Sequence, residues 1–162
     1  MILFWECLIA VLLFTVIVVP MTLRNPLASI GDYPPAIRVR CEELGLVEKK
    51  ERRFSKAELV RKGIAVLVCA GVFAFVLIKV NGDRTFLKGF LDAYLIWLVI
   101  TWYDALVLDC GWFCHSRRVR IPGTENMKAY RDYAFHIRQS LIGTLLGLPA
   151  CLVVGLLVAV FA

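Results

Sequence analysis

The chain has 162 residues, 60% of them hydrophobic and 20% charged, with a mean hydropathy of +0.74 and a formal net charge of +6. Soluble globular chains are about half apolar and a quarter charged. The apolar excess therefore excludes a disordered or collagen-like chain and most soluble enzymes, and points to a small polytopic membrane protein.

The sequence predicts an all-α fold: a single membrane domain over residues 1–162, built as a four-transmembrane-helix bundle. The first span, residues 2–22, is apolar apart from a few positions that include Glu6, Thr15 and Pro20. It lacks the basic leader and the A-x-A site of a secretory signal, so it reads as a retained helix. Loop 23–54 follows. Within it Pro34 and Pro35 suit a helix start, Ile37, Cys41 and Leu44 fall at i, i+4 and i+7, and Gly45 is a stop. That pattern predicts a short amphipathic helix, lying on the inner leaflet or packed on the protein itself.

Ser55 and Glu58 form an S-x-x-E capping box ahead of the second span, residues 56–80. Lys79, at its far end, can snorkel to the opposite interface. An outer turn, residues 81–85, leads to the third span, residues 86–110. A second loop covers residues 111–124 and ends on Pro122-Gly123, with Thr124 as a cap. The fourth span then runs over 125–161, entered along a stripe of Met127, Tyr130, Ala134, Ile137 and Leu141.

Basic residues orient these spans. Of nineteen Lys and Arg, ten lie between Arg24 and Lys62, three between Lys79 and Lys88, and six between Arg117 and Arg138. Sixteen therefore share one side, which the positive-inside rule makes cytoplasmic. Loops 23–54 and 111–124 face inward, and both termini and the Asn81-Gly82-Asp83 turn face outward. The protein is expected in the cell membrane as a multi-pass chain. Its partners are the bilayer and anionic lipid headgroups rather than nucleic acid, since no aromatic residues interleave a basic stripe.

The fourth span carries Gly143, Gly147, Cys151, Gly155 and Ala159 at four-residue spacing. Small residues in register let two helix backbones approach closely in lipid. This face serves packing within the bundle or, alternatively, a homodimer. Pro149 interrupts the same helix.

Carboxylates inside apolar spans are costly and mark the places to look for function. Asp92 is near the outer end, four residues after Lys88. Asp104 and Asp109 are near the inner end; on an α-helix they stand roughly 140° apart in azimuth. His136 enters the bilayer at the same depth, one turn after Asp132, which can orient its ring. Asp104, Asp109 and His136 are the catalytic candidates, and Arg138 and Arg131 the phosphate-holding ones. The alternative is that the carboxylates pair with Arg138, Arg131 or Arg117 simply to fix the helices.

Of six cysteines, four lie inside or at the edge of apolar runs, so no disulfide framework is expected, and no C-x-x-C pair exists. Cys110 and Cys114, with His115 or His136, lack zinc-site spacing. No cofactor is predicted; a divalent metal on the carboxylates is the alternative. The ranked readings are an accessory or interaction protein with a basic cytoplasmic face, then an inner-leaflet enzyme acting on a lipid headgroup or prenyl substrate, then a small transporter.

Overall fold

The computed structural model describes residues 2–48 and 56–162. Ser55 of the capping box and four basic residues of the first loop, Lys49, Lys50, Arg52 and Arg53, lie outside the described residues. All regular elements among the described residues are helical. In chain order they are α1 (Ile2–Arg24), a 3-10 helix (Pro26–Asp32), α2 (Pro35–Glu43), α3 (Lys56–Val76) with a π-helical end (Leu77–Asn81), α4 (Phe86–Tyr103) continuing as a π-helix (Asp104–Phe113), a second 3-10 turn (Lys128–Arg131) and α5 (Tyr133–Phe161).

Four of these are long and apolar enough to cross a membrane: Ile2–Arg24, Ala57–Asn81, Phe86–Phe113 and Tyr133–Phe161. Each reaches the roughly 20 residues that span the hydrocarbon. They leave large apolar side chains uncovered, among them Phe4, Trp5, Val16 and Ile17 on α1 and Leu59, Val60 and Leu67 on α3. Faces of that size meet lipid, not water. The chain is a multi-pass membrane protein. Pro20 and Pro149 sit inside helices that continue past them, as spans tolerate.

The described residues group into two compact units, Met1–Ala10 with Arg52–Thr101 and Ile142–Ala162, and Val11–Glu51 with Trp102–Leu141. The first unit packs Ala70, Ala74 and Leu77 with Ala93, Cys151, Val154 and Val158. Small residues make this contact close. The place of a Cβ at Gly89 lies 2.7 Å from Val158 Cγ2, and at Gly155 2.9 Å from Phe90 Cβ. At Gly147 it is occupied by the Trp97 ring. Trp97 Nε1 donates to the Gly143 carbonyl at 3.0 Å. The small face of α5 thus seats α4 inside this chain. Lys88 pairs with Asp92 at 3.0 Å and also with the fully buried Asp83. Glu6 accepts from Asn81 Nδ2 at 2.8 Å.

The second unit holds a packed core whose residues the sequence reading divided between the first loop with its short helix, the second loop and the start of the fourth span. Tyr33, Ile37, Cys41, Phe113, Cys114, Val119, Ile121 and Tyr130 are buried together. Its polar groups are satisfied internally. The Tyr33 hydroxyl donates to the Val119 carbonyl at 2.9 Å. The Tyr130 oxygen accepts from the Ile121 amide at 2.9 Å and lies 2.7 Å from Thr124 Oγ1, which donates to the Ile121 carbonyl at 2.8 Å.

α2 forms where the proline pair and periodicity place it, and Ile37 and Cys41, 0% exposed, face this core, which is the second of the two placements the sequence left open. Two boundaries differ from the sequence reading. The third span runs on to Phe113, because the π-helix extends it beyond residue 110. α5 begins at Tyr133, not 125: Tyr130 is drawn into the core, Thr124 bonds there instead of capping, and Asp132 Oδ1 accepts from the Phe135 amide at 2.9 Å.

Candidate functional site

The site is assembled in the second unit where the third span changes its winding. From Asp104 the backbone bonds i to i+5, as in Cys114 N to Asp109 O at 2.9 Å. That wider turn brings residue i+5 back over residue i. Asp104 and Asp109 are therefore neighbours on one face, which corrects the azimuthal separation an α-helix gives. π segments of this kind recur at functional positions.

His136 approaches from the first turn of α5. Asp132 ends the incoming chain by capping, so it does not orient the imidazole as its spacing suggested. Asp109 does: His136 Nδ1 lies 3.0 Å from Asp109 Oδ2. The ring is 2% exposed and the carboxylate side chain 29%. Phe113 and Phe135 hold the ring edge-on, with centroids 5.4 Å and 5.3 Å away. The Nε2 atom is buried and has no hydrogen-bond partner.

Asp104 is in electrostatic reach of Asp109, Asp32 and His136. Asp32 ends the first 3-10 helix and was not singled out in the sequence, where nothing in a polar loop marks a residue that returns to a distant span. Its side chain keeps a solvent-exposed edge, yet surrounding protein, and secondarily Asp109, push its carboxyl above the usual carboxylate range, with Arg38 opposing. Burial pushes the Cys114 thiol up to about 12, with Cys110 and Asp109 adding to it. Burial also raises Cys41 and Tyr33. Neither loop thiol is a nucleophile at neutral pH.

Compared with known proteins, the chain matches no family model, no curated protein and no solved structure.

The remaining candidates separate from this site. Arg138 is exposed, and among the described residues neither Asp104 nor Asp109 forms an ion pair with an arginine. Among the described residues no group of three or more His, Cys, Asp or Glu side chains is arranged to hold a metal. His115 is engaged elsewhere, with Nδ1 3.0 Å from the Gly111 carbonyl and Nε2 3.2 Å from the Tyr133 hydroxyl.

Arg131 belongs to a second feature. An open groove of about 790 Å³ is lined by Arg117, Arg120, Glu125, Asn126, Met127, Lys128 and Arg131. Four cations against one carboxylate leave it a formal +3. Arg120 is its fixed wall: it donates to the Ser116 and Cys114 carbonyls and lies 4.0 Å over the Tyr130 ring. Arg117, Lys128 and Arg131 are exposed and extend from that wall. Sequence reasoning grouped Arg131 with the aspartates because both sit near the bilayer entry; the 3-10 turn at 128–131 directs it to the groove instead.

Proposed function

We propose that this is an accessory membrane protein that binds the phosphate of anionic lipid headgroups at the cytoplasmic leaflet. The basic groove carries the reading. It lies on the segment between Phe113 and Tyr133, where one span ends and the next begins, and that short connection supports a position near the headgroups. Arginine suits this task because its planar donors match phosphate oxygens in pairs. The positive-inside rule puts the same segment, and the first loop, in the cytoplasm, with both termini outside. An enzymatic role for Asp104, Asp109 and His136 would need the imidazole to reach substrate, and His136 is 2% exposed.

The test is native mass spectrometry of the full chain released from micelles holding equal phosphatidylglycerol and phosphatidylcholine. The wild type should retain the anionic lipid preferentially. Each basic residue near an anionic surface contributes about 1 kcal/mol. The triple variant R117Q/K128Q/R131Q should therefore lose up to about a hundredfold in affinity. Equal retention of the two lipids, or an unchanged preference in the triple variant, would leave the groove to a protein partner and end the headgroup reading.

A further inference from the structure

We propose that the basic groove selects, among anionic lipids, a phosphate headgroup that carries free hydroxyls, with the cations holding the phosphate and Glu125 accepting from a hydroxyl. This assignment rests on the headgroup reading and adds to it the chemical class of the headgroup. A groove that only gathered negative charge would gain nothing from a carboxylate, since Glu125 offsets one of its four positive charges. Nor does Glu125 brace the wall by pairing with a cation. Among the described residues no ion pair joins it to Arg117, Arg120, Lys128 or Arg131. Its Oε2 accepts instead from the Gly123 amide at 2.9 Å.

The backbone holds that carboxylate in place. Gly123 turns the chain at a φ of 83°, a conformation open to glycine. Thr124, next to it, is buried and bonded to the Ile121 carbonyl. Arg120 reaches the Glu125 carbonyl at 3.5 Å, while its guanidinium is anchored on the Ser116 and Cys114 carbonyls and over the Tyr130 ring. A carboxylate offers about four lone-pair sites, and the Gly123 amide takes one. Exposed Glu125 therefore lines the groove with acceptor capacity to spare. Arginine and lysine only donate, so they suit phosphate oxygens and leave a hydroxyl proton unserved. The matching ligand brings acceptors for the cations and a donor for Glu125. An ammonium is the other donor that headgroups offer, but in a groove of formal +3 it meets like charge. An ethanolamine headgroup also has no net charge for the groove to attract. A hydroxyl donates without charge, and the Asn126 amide on the same lining accepts a second one.

Phosphatidylglycerol and its hydroxyl-free counterpart phosphatidylpropanol carry the same single charge, so this pair isolates the hydroxyls. The experiment is native mass spectrometry of the full chain from micelles holding both lipids and phosphatidylcholine in equal amounts. The wild type should retain both anionic lipids over phosphatidylcholine, and phosphatidylglycerol over phosphatidylpropanol by about fivefold to tenfold, as one hydrogen bond to a charged group would give. Glu125→Ala should cut that preference to about twofold or less. Its retention of both anionic lipids over phosphatidylcholine should hold or rise, because the groove loses its carboxylate. The lipid pair tests the wild type itself, so the outcome does not depend on the folding of a variant. Equal retention of the two anionic lipids by the wild type would overturn the hydroxyl assignment and leave the headgroup reading standing. Retention of neither above phosphatidylcholine would end both. An unchanged preference in folded Glu125→Ala, or phosphatidylserine outcompeting phosphatidylglycerol when added as a fourth lipid, would also overturn the assignment. Excess glycerol 3-phosphate should leave the bound lipid in place; displacement by it would move the groove's ligand from the membrane to a soluble polyol phosphate and overturn the proposal as a lipid site.

Discussion

Gly147 has no Cβ, and the space one would need is filled by the indole of Trp97. At Gly143, one turn earlier, the same atom would meet only Thr101 Cγ2 at 3.5 Å, an ordinary contact. The two glycines of one G-x-x-x-G are thus unequal. Over-packing a close contact costs about 1–3 kcal/mol. Gly147→Leu should reach the upper end of that range, and Gly143→Leu the lower, in unfolding of the purified protein by increasing SDS. Equal losses would mean that the indole swings aside. The four-residue spacing of small side chains was plain in the sequence. Their partner was not, because a smooth face accepts any apolar helix, and α4 is selected by bonds such as those from Trp97 Nε1 to the Gly143 carbonyl and from the Tyr94 hydroxyl to the Thr144 carbonyl. In the same way Asp109 and His136 were each visible as polar residues at one depth. Their contact depends on backbone winding that no side-chain pattern encodes.

At the level of whole elements, hydropathy located the spans well and their ends poorly. The stripe from Met127 to Leu141 has helical period, yet the helix starts at Tyr133. Periodicity counts apolar positions and cannot tell whether Tyr130 faces a helix neighbour or a loop core. The core wins because Tyr130 finds two hydrogen-bond partners and full burial there. Asp132 then becomes the N-cap, accepting from the Phe135 amide. Losing such a cap costs about 1 kcal/mol. Asp132→Ala should lower stability by that amount and raise hydrogen exchange at the amides of 134–136, whereas Asp132→Ser should restore most of it. No effect on those amides would place the helix start upstream after all. The π segment from Asp104 to Phe113 was equally hidden, since changing the hydrogen-bond register leaves composition untouched.

For the molecule as a whole, charge predicts the direction of insertion. Sixteen of nineteen basic residues fall on the side of the two longer loops, and translocating them would oppose both the insertion machinery and the membrane potential. Native thiols make poor reporters of this. Cys41 is 0% exposed in the first loop, and Cys69 is exposed only on a membrane-spanning helix. Introduced cysteines do better at exposed positions on opposite sides, Asn126 beside the basic groove and Arg84 in the short turn. In intact cells an impermeant maleimide should label Arg84→Cys and leave Asn126→Cys untouched until the membrane is opened by detergent. Arg84 gives up one exposed hydrogen bond, to the Ala162 carbonyl at 3.2 Å, so the substitution leaves the fold in place. The reverse labelling pattern would turn the chain over. It would move the groove to the outer leaflet, and the headgroup reading would then have to find its anionic lipid there.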